Sequence, residues 1–518
     1  MNWKKWMKYI GITFLALLLI TPAVLYFGLE SSMKQMYGAN TKMVDVTQFS
    51  PETGTVVVKN VNILSTDSEQ FINGQTVLLD NGLIQQIGDE IVIPAQAKVV
   101  DGQGKYLIPG LIDSHVHIFY SPNDLLLYIA NGVTEIREMM GSEGRLALKR
   151  EIENGRIGPK LWVASPPLGT VNDFQSWFIS WTRQAKNLDN AEEAEAAIHS
   201  FVEKGYDGVK IYSHINKESY LAATKTATEL DFPIVGHIPW DISLSEFWES
   251  GQNEVGHIEE VMNALRREFG YIDGREAEFL EFVREQSDVV AENLIQRNIP
   301  VTSTMCIIDG LIGQKFELER VLREAELSYV NVGMLEGVQF GDNGFGWLPH
   351  NNLYKLPAGL TTDEIAGHRK FWEVYSEACE ILIEELSKKG VTILAGTDAN
   401  IPATVPGFSL HEELINLEEA GMSNAAILQS VTAKPAAFMR SNTGKITEGY
   451  AANLVLLDKN PLEDIRHTES INTVFANGKM YGRALLDEML AAVKAANDEG
   501  RTIDISEYEV GETVTLEE

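Results

Sequence analysis

The chain is 518 residues long, enough to bury a large core and beyond the usual size of a single domain. Its 42 lysines and arginines stand against 74 aspartates and glutamates, a net charge of −32. Such a surface repels polynucleotides, so no nucleic-acid partner is expected. The only two cysteines, Cys306 and Cys379, each sit in an apolar segment; they exclude a disulfide framework and a cysteine-based metal site, and read as buried free thiols.

Residues 9–29 (YIGITFLALLLITPAVLYFGL) form an apolar run preceded by Lys4, Lys5 and Lys8. At about 1.5 Å per residue the run is long enough for a ~30 Å hydrocarbon core, and the basic flank favours an N-in orientation with the bulk exported. It exceeds the ~7–15-residue apolar region of a signal peptide, and Pro22-Ala-Val-Leu-Tyr26 is a poor cleavage site. Residues 1–30 are therefore expected to be an uncleaved transmembrane signal-anchor, the chain's one membrane contact. It would hold the rest on the exported side, at a bacterial inner membrane facing the periplasm or at the cell exterior; secretion after cleavage is the alternative. Residues 31–53 read as a polar linker. A chain starting near Lys42 is accordingly expected to be soluble and active.

From 54 to 105 the pattern changes to short β-rich runs separated by Asn81-Gly82, Gly88-Asp89 and Asp101-Gly102, and a similar texture returns at 444–482. These two stretches are expected to form one small β-sandwich domain. Between them, over 106–443, strand and helix alternate. Strand candidates lie at 106–112, 132–139, 160–165, 207–212, 232–238, 253–258, 299–307 and 391–397, with helical patterns such as 190–204 and 218–230 between most of them. Eight such units are the arithmetic of an α/β (β/α)8 TIM barrel. The connection before the last strand is long, with a glycine- and aromatic-rich loop at 338–354 and a helix near 364–389. That loop and the aromatic segment FQSWFISW (174–181) are candidate lids or ordinary rim insertions. Residues 483–518 read as a C-terminal helix and an acidic tail.

Barrel chemistry gathers at the C-terminal strand ends, so the polar residues there decide what the fold can do. The first strand leads into His115 and His117, which project to one side of an extended chain and can chelate one cation. The fourth carries Lys210, the fifth ends at His237, the sixth at His257, and the eighth at Asp398. A bare inward lysine is costly to bury. Any one of these residues alone is commonly structural; six at five strand ends are a constellation.

This set, in the phrases GLIDSHVH, VKI, GH, GHIE and GTDA with the closing ANLVLLDKNPLEDI, resembles the amidohydrolase superfamily. The resemblance is to its binuclear members of the prolidase-like and imidazolonepropionase-like branch, and it covers about residues 54–482. It implies His115, His117 and Asp398 on one divalent ion, His237 and His257 on a second, and Lys210 as a bridging carbamate, with Zn2+ the expected metal. It also implies hydrolysis of a C–N bond in a small molecule, a dipeptide or an N-acyl amino acid, by a metal-bridging hydroxide with Asp398 as general acid and base. Tyr120, Tyr212 and Arg137 are candidate substrate contacts, Arg137 being as readily an ion-pair partner of Glu138. His411 reads as a packing residue. The competing readings are a mononuclear cyclic amidase or deaminase and a non-catalytic scaffold on the same fold. His237-Ile-Pro-Trp lacks the H-x-x-E acid of deaminases, and no ligand is missing for a scaffold to have shed. A homo-oligomer is compatible with the sequence.

Overall fold

The computed structural model describes residues 3–170, 185–340 and 343–508. The 174–181 segment, read as a candidate lid or an ordinary rim insertion, and the tail from 509 onward lie outside the described residues.

Both β-rich flanks enter one nine-stranded sheet. Val56–Leu64, Phe71–Asp80 and Leu83–Gly88 pair antiparallel, and Leu454–Leu457, Ile471–Ala476 and Lys479–Gly482 add a second antiparallel run. The strand Tyr106–Pro109 joins the two runs by pairing with Leu454–Leu457 and with Val56–Leu64. The single strand expected over 106–112 is therefore two strands. The chain leaves the flanking sheet at Pro109-Gly110 and begins again as Leu111–Val116. Gly110 is needed there, because a Cβ would meet Thr134 Oγ1 at 2.1 Å.

Downstream the strands are short, parallel and buried on both faces, as parallel strands covered by helices must be. Leu111–Val116 pairs with Val133–Glu138, which pairs with Lys160–Val163. A bridge from Ala164 to Gly208 leads on to Val209–Ile211, which pairs with Ile234–Gly236. Gly256 N donates to Gly236 O at 2.7 Å, and Val255 bridges to Val301. Val301–Thr302 pairs with Ile393–Leu394. Finally Ser114 N donates to Ala395 O at 3.0 Å and Asp398 N to His115 O at 2.7 Å. The segment 253–258, expected as a strand, is a single bridge because His257 already caps the helix Ile258–Phe269. Three of the intervening helices have side-chain caps that mark where they begin: Asn190 accepts from Glu193 N, Asn216 from Ser219 N, and Thr361 forms a capping box with Glu364. One apolar core holds Val58 and Val77 of the flanking sheet together with Ile136, Val209 and Ile393.

Two expectations change at the N-terminus. The 9–29 run lies in a helix, Trp3–Met36, but the side chains of residues 10–19 are outside those described. Among the described residues no helix is long and apolar enough to cross a membrane, so the anchor reading gains no support here. Nor is 31–53 a free linker. Met33 and Met36 are buried, Asn331 Nδ2 donates to Thr41 Oγ1 at 2.8 Å, and Asn123 holds both Lys42 O and Val44 N. This segment packs onto the helix Val332–Glu336, where Gly333 lies close beneath Gln35 O.

Candidate metal centre

The strand ends bring the six expected donors to one cavity of about 370 Å³. Period-two alternation sends His115 and His117 the same way, and their rings stand 5.5 Å apart. Asp113, two residues before His115 on the same strand, binds the first and last strands together. Its carboxylate accepts from Thr397 N and Oγ1 at 3.1 and 2.7 Å and from His115 N at 3.2 Å. That staple holds the turn in which Asp398 takes the left-handed conformation, φ 54°, a strained setting of the kind found at functional sites. Asp398 Oδ1 lies 2.7 Å from His117 Nε2 and 3.6 Å from His115 Nε2. One donor atom from each of these three residues lies within 4.8 Å of the others.

Lys210 approaches the same point from the opposite strand, its Nζ 3.2 Å from His115 Nε2. The glycine before His237 makes this possible. At Gly236, φ 114°, a Cβ would stand 2.3 Å from Ile211 O and 2.9 Å from Lys210 Cδ. His237 and His257 complete the ring of donors, with His257 4.3 Å from His115 and 5.0 Å from His237, ring to ring. Three of the four imidazoles, those of His115, His237 and His257, are aimed by a bond from the other side. His115 Nδ1 donates to Gly256 O at 3.1 Å, His237 Nδ1 meets Glu260 at 2.7 Å and Ser213 Oγ at 2.7 Å, and His257 Nδ1 meets Thr304 Oγ1 at 3.1 Å.

The electrostatics suit cation binding. Burial, reinforced by Lys210 and neighbouring imidazoles, holds His115 well below its ordinary pKa, and burial does the same for His257. Burial also lowers His237, against the opposing pull of Glu260. These imidazoles are therefore neutral. Burial alone would raise Asp398, but His117, in hydrogen-bond contact with it, and then Lys210 hold its carboxyl below the usual range. Lys210 is brought down to about 8, chiefly by burial. Neutral imidazoles and an ionised carboxylate are the protonation states a metal requires. One atom also points to an occupant, since Asp398 Oδ1 is buried without a directed hydrogen bond. The residues present fit a divalent ion.

The model of the amidohydrolase family matches residues 106–481 of this chain. The chain belongs to the amidohydrolase family. Similar solved structures include a bottromycin amidohydrolase (19% identity, covering 85% of this chain and 90% of that one, TM-score 0.62). Another is a Xaa-Pro dipeptidase with bound methionine in its active site (17% identity, 83% and 100% coverage, TM-score 0.58). Similar curated proteins include a dihydroorotase of Trichlorobacter lovleyi, 48% identical over 42 residues (8% of this chain, 10% of that protein). Adenine deaminase 2 of Shouchella clausii is 36% identical over 107 residues (19% of this chain, 18% of that protein). The chain thus spans only about a tenth to a fifth of the length of these curated relatives.

The substrate candidates named for this amidohydrolase fare differently. Tyr212 lines the cavity, its ring 4.8 Å from His237. Tyr120 does not; Arg145 lies over its ring at 5.3 Å and its N–H donates to Tyr37 O. Arg137 is a correction. It is fully buried, paired through two nitrogens at 2.9 and 2.6 Å with Glu254 and packed over Trp162 and Phe438, so it meets no substrate. Nor is Glu138 its partner, because adjacent strand residues point to opposite sides. Glu138 instead accepts from Ile118 N and Met140 N and stands 4.0 Å from His117 Nδ1. Arg137→Ala would strand the buried Glu254 charge and should cost about 3–5 kcal/mol, read as a lowered denaturation midpoint with metal content unchanged. His411 is a packing residue, bonded to Thr468 Oγ1 and Asn131 O, and burial brings it down to about 4.

Three positioning residues were not read as site residues in the sequence: Asp113, Glu138, which ends the strand Val133–Glu138, and Glu260. Glu260 had a signal available, standing three residues after His257 in the first turn of the next helix. Met36 and Tyr37, which line the cavity, had none.

Proposed function

We propose that this chain is a metal-dependent amidohydrolase that hydrolyses a C–N amide bond. The convergence of His115, His117, Lys210, His237, His257 and Asp398 on one cavity supports it. We read the parallel strands that meet head to tail, from Leu111–Val116 round to Ile393–Leu394, as the (β/α)8 barrel whose C-terminal face carries this site. The β-rich flanks are read as a second unit beside it.

His115, His117 and Asp398 would hold one divalent ion, taken to be Zn2+, and His237 and His257 a second, with Lys210 as a carbamate between them. Bound there, the ions would polarise the scissile carbonyl and make a nearby water acidic. The chain's own residues do the rest. Asp398, ionised beside His117, takes the proton from the attacking water and returns it to the leaving nitrogen. The bond from His115 Nδ1 to Gly256 O keeps its Nε2 lone pair turned inward. Glu260 does the same for His237. Tyr212 flanks the reacting centre. The substrate is read as a compound on the scale of a dipeptide or N-acyl amino acid. One observation favours a mononuclear alternative: the tight cluster of donor atoms comprises only His115, His117 and Asp398.

The apolar 9–29 run leads us to place the chain at a membrane on the exported side, which fractionation with washed membranes tests. The carbamate is tested by reconstitution. The neutral amine reacts with CO2, so metal-stripped, CO2-free protein should regain hydrolysis with Zn2+ plus bicarbonate and not with Zn2+ alone. Because burial has brought Lys210 to about 8, recovery at a fixed dissolved CO2 concentration should speed up as pH rises toward about 8 and level off above it. Full recovery without bicarbonate would remove the carbamate from the account.

A further inference from the structure

Away from the six donors the cavity wall changes character. Tyr37 packs on Phe119 at 4.5 Å between ring centres, and Phe119 stacks on His117 at 5.7 Å, so an apolar surface runs up to a proposed metal ligand. Met36, Met334, Trp347 and Leu353 continue that wall. Charge is distributed unevenly. Among the described lining residues Lys210 is the one lysine or arginine, and its ammonium faces His115; the acids are Asp398, Glu259 and Glu260. Lys315, behind Tyr354, donates to Tyr354 O at 3.2 Å and lies over the Trp372 ring at 5.1 Å.

We infer that the substrate is an uncharged amide bearing a long-chain or aryl acyl group, with no free carboxylate beside the scissile bond. This rests on the hydrolase reading above and narrows it. The acyl half of an N-acyl amino acid suits the wall; among the described lining residues its carboxylate would meet rings, thioethers and acids, with no guanidinium and no ammonium other than that of Lys210 to pair it, which is costly. The apolar group is stabilised in proportion to the area it buries. The segment 33–44 is then part of the binding site, so a chain beginning near Lys42 loses the wall supplied by Met36 and Tyr37 and does not keep full activity, contrary to the sequence expectation.

The test uses the full chain, loaded with Zn2+ in bicarbonate, against acetyl-, butanoyl- and octanoyl-leucine. The matching 3-methylbutylamides, which differ by lacking the carboxylate, complete the panel. Expected is a kcat/KM that rises by up to about fourfold per added methylene, and a tenfold or greater preference for each amide over its leucine counterpart. Met36→Lys should flatten the chain-length dependence and narrow the preference at unchanged zinc content. Turnover that is best with acetyl-leucine overturns the substrate class and leaves the hydrolase reading standing. If nothing is cleaved, calorimetric binding of the octanoyl amide in preference to octanoyl-leucine supports the class and overturns the hydrolase reading alone. Absence of that preference overturns the class as well.

Discussion

Replacing Lys210 with alanine should abolish turnover, lowering kcat by ~10³ or more, as expected when several kcal/mol of charge stabilisation are lost. The side chain is buried, stands 3.2 Å from His115 Nε2 and occupies a passage that Gly236 keeps open for it. If the lysine acts as a carbamate, short carboxylic acids added to Lys210→Ala should restore part of the activity by entering the space it vacates. If it serves only as a buried structural ammonium, the variant should lose stability but show no response to carboxylates. The two outcomes separate a bridging role from a packing role.

Asp398→Asn should retain metal near the wild-type level while kcat falls by ~10²–10⁴, the scale of losing a general acid–base group. Asparagine keeps an oxygen donor at the same strained position, held by the bond from Asp398 N to His115 O, but it offers no basic site. The sign of the pH dependence follows from the carboxyl's lowered pKa. The folded state favours the ionised form, so activity is present at neutral pH and falls as acid protonates the site. That acidic limb belongs to Asp398 and the bound water as one titrating unit. Turnover of Asp398→Asn within a few-fold of wild type, with metal retained, would reduce Asp398 to a turn residue.

These roles were legible in the sequence to the extent that strand alternation and strand ends carry them. His115 and His117 share a face because of period two; Lys210 lies within a short parallel strand, His237 and Asp398 follow one, and His257 follows the bridge at Val255, so all four reach the same cavity. Alternation also explains the error at Arg137: the residue points away from Glu138 into a pair with Glu254, 117 positions on, which no local pattern reveals. The Pro109-Gly110 break was visible, but which sheet Tyr106–Pro109 joins depends on Leu454–Leu457, far away in the chain. The contribution of Met36 and Tyr37 to the cavity was hidden for the same reason. An apolar run with a basic flank describes a segment's affinity for an apolar medium, and says nothing of where its last turn docks.

The most direct test of the account is the metal content of the full-length protein purified with Zn2+ and bicarbonate, measured by elemental mass spectrometry against chain concentration. Six donors in one cavity predict close to two ions per chain, and His237→Ala, which removes a donor from the second position alone, should fall to about one. A wild-type protein that holds one ion, unchanged by His237→Ala, would contradict the binuclear centre and leave His115, His117 and Asp398 as a mononuclear site.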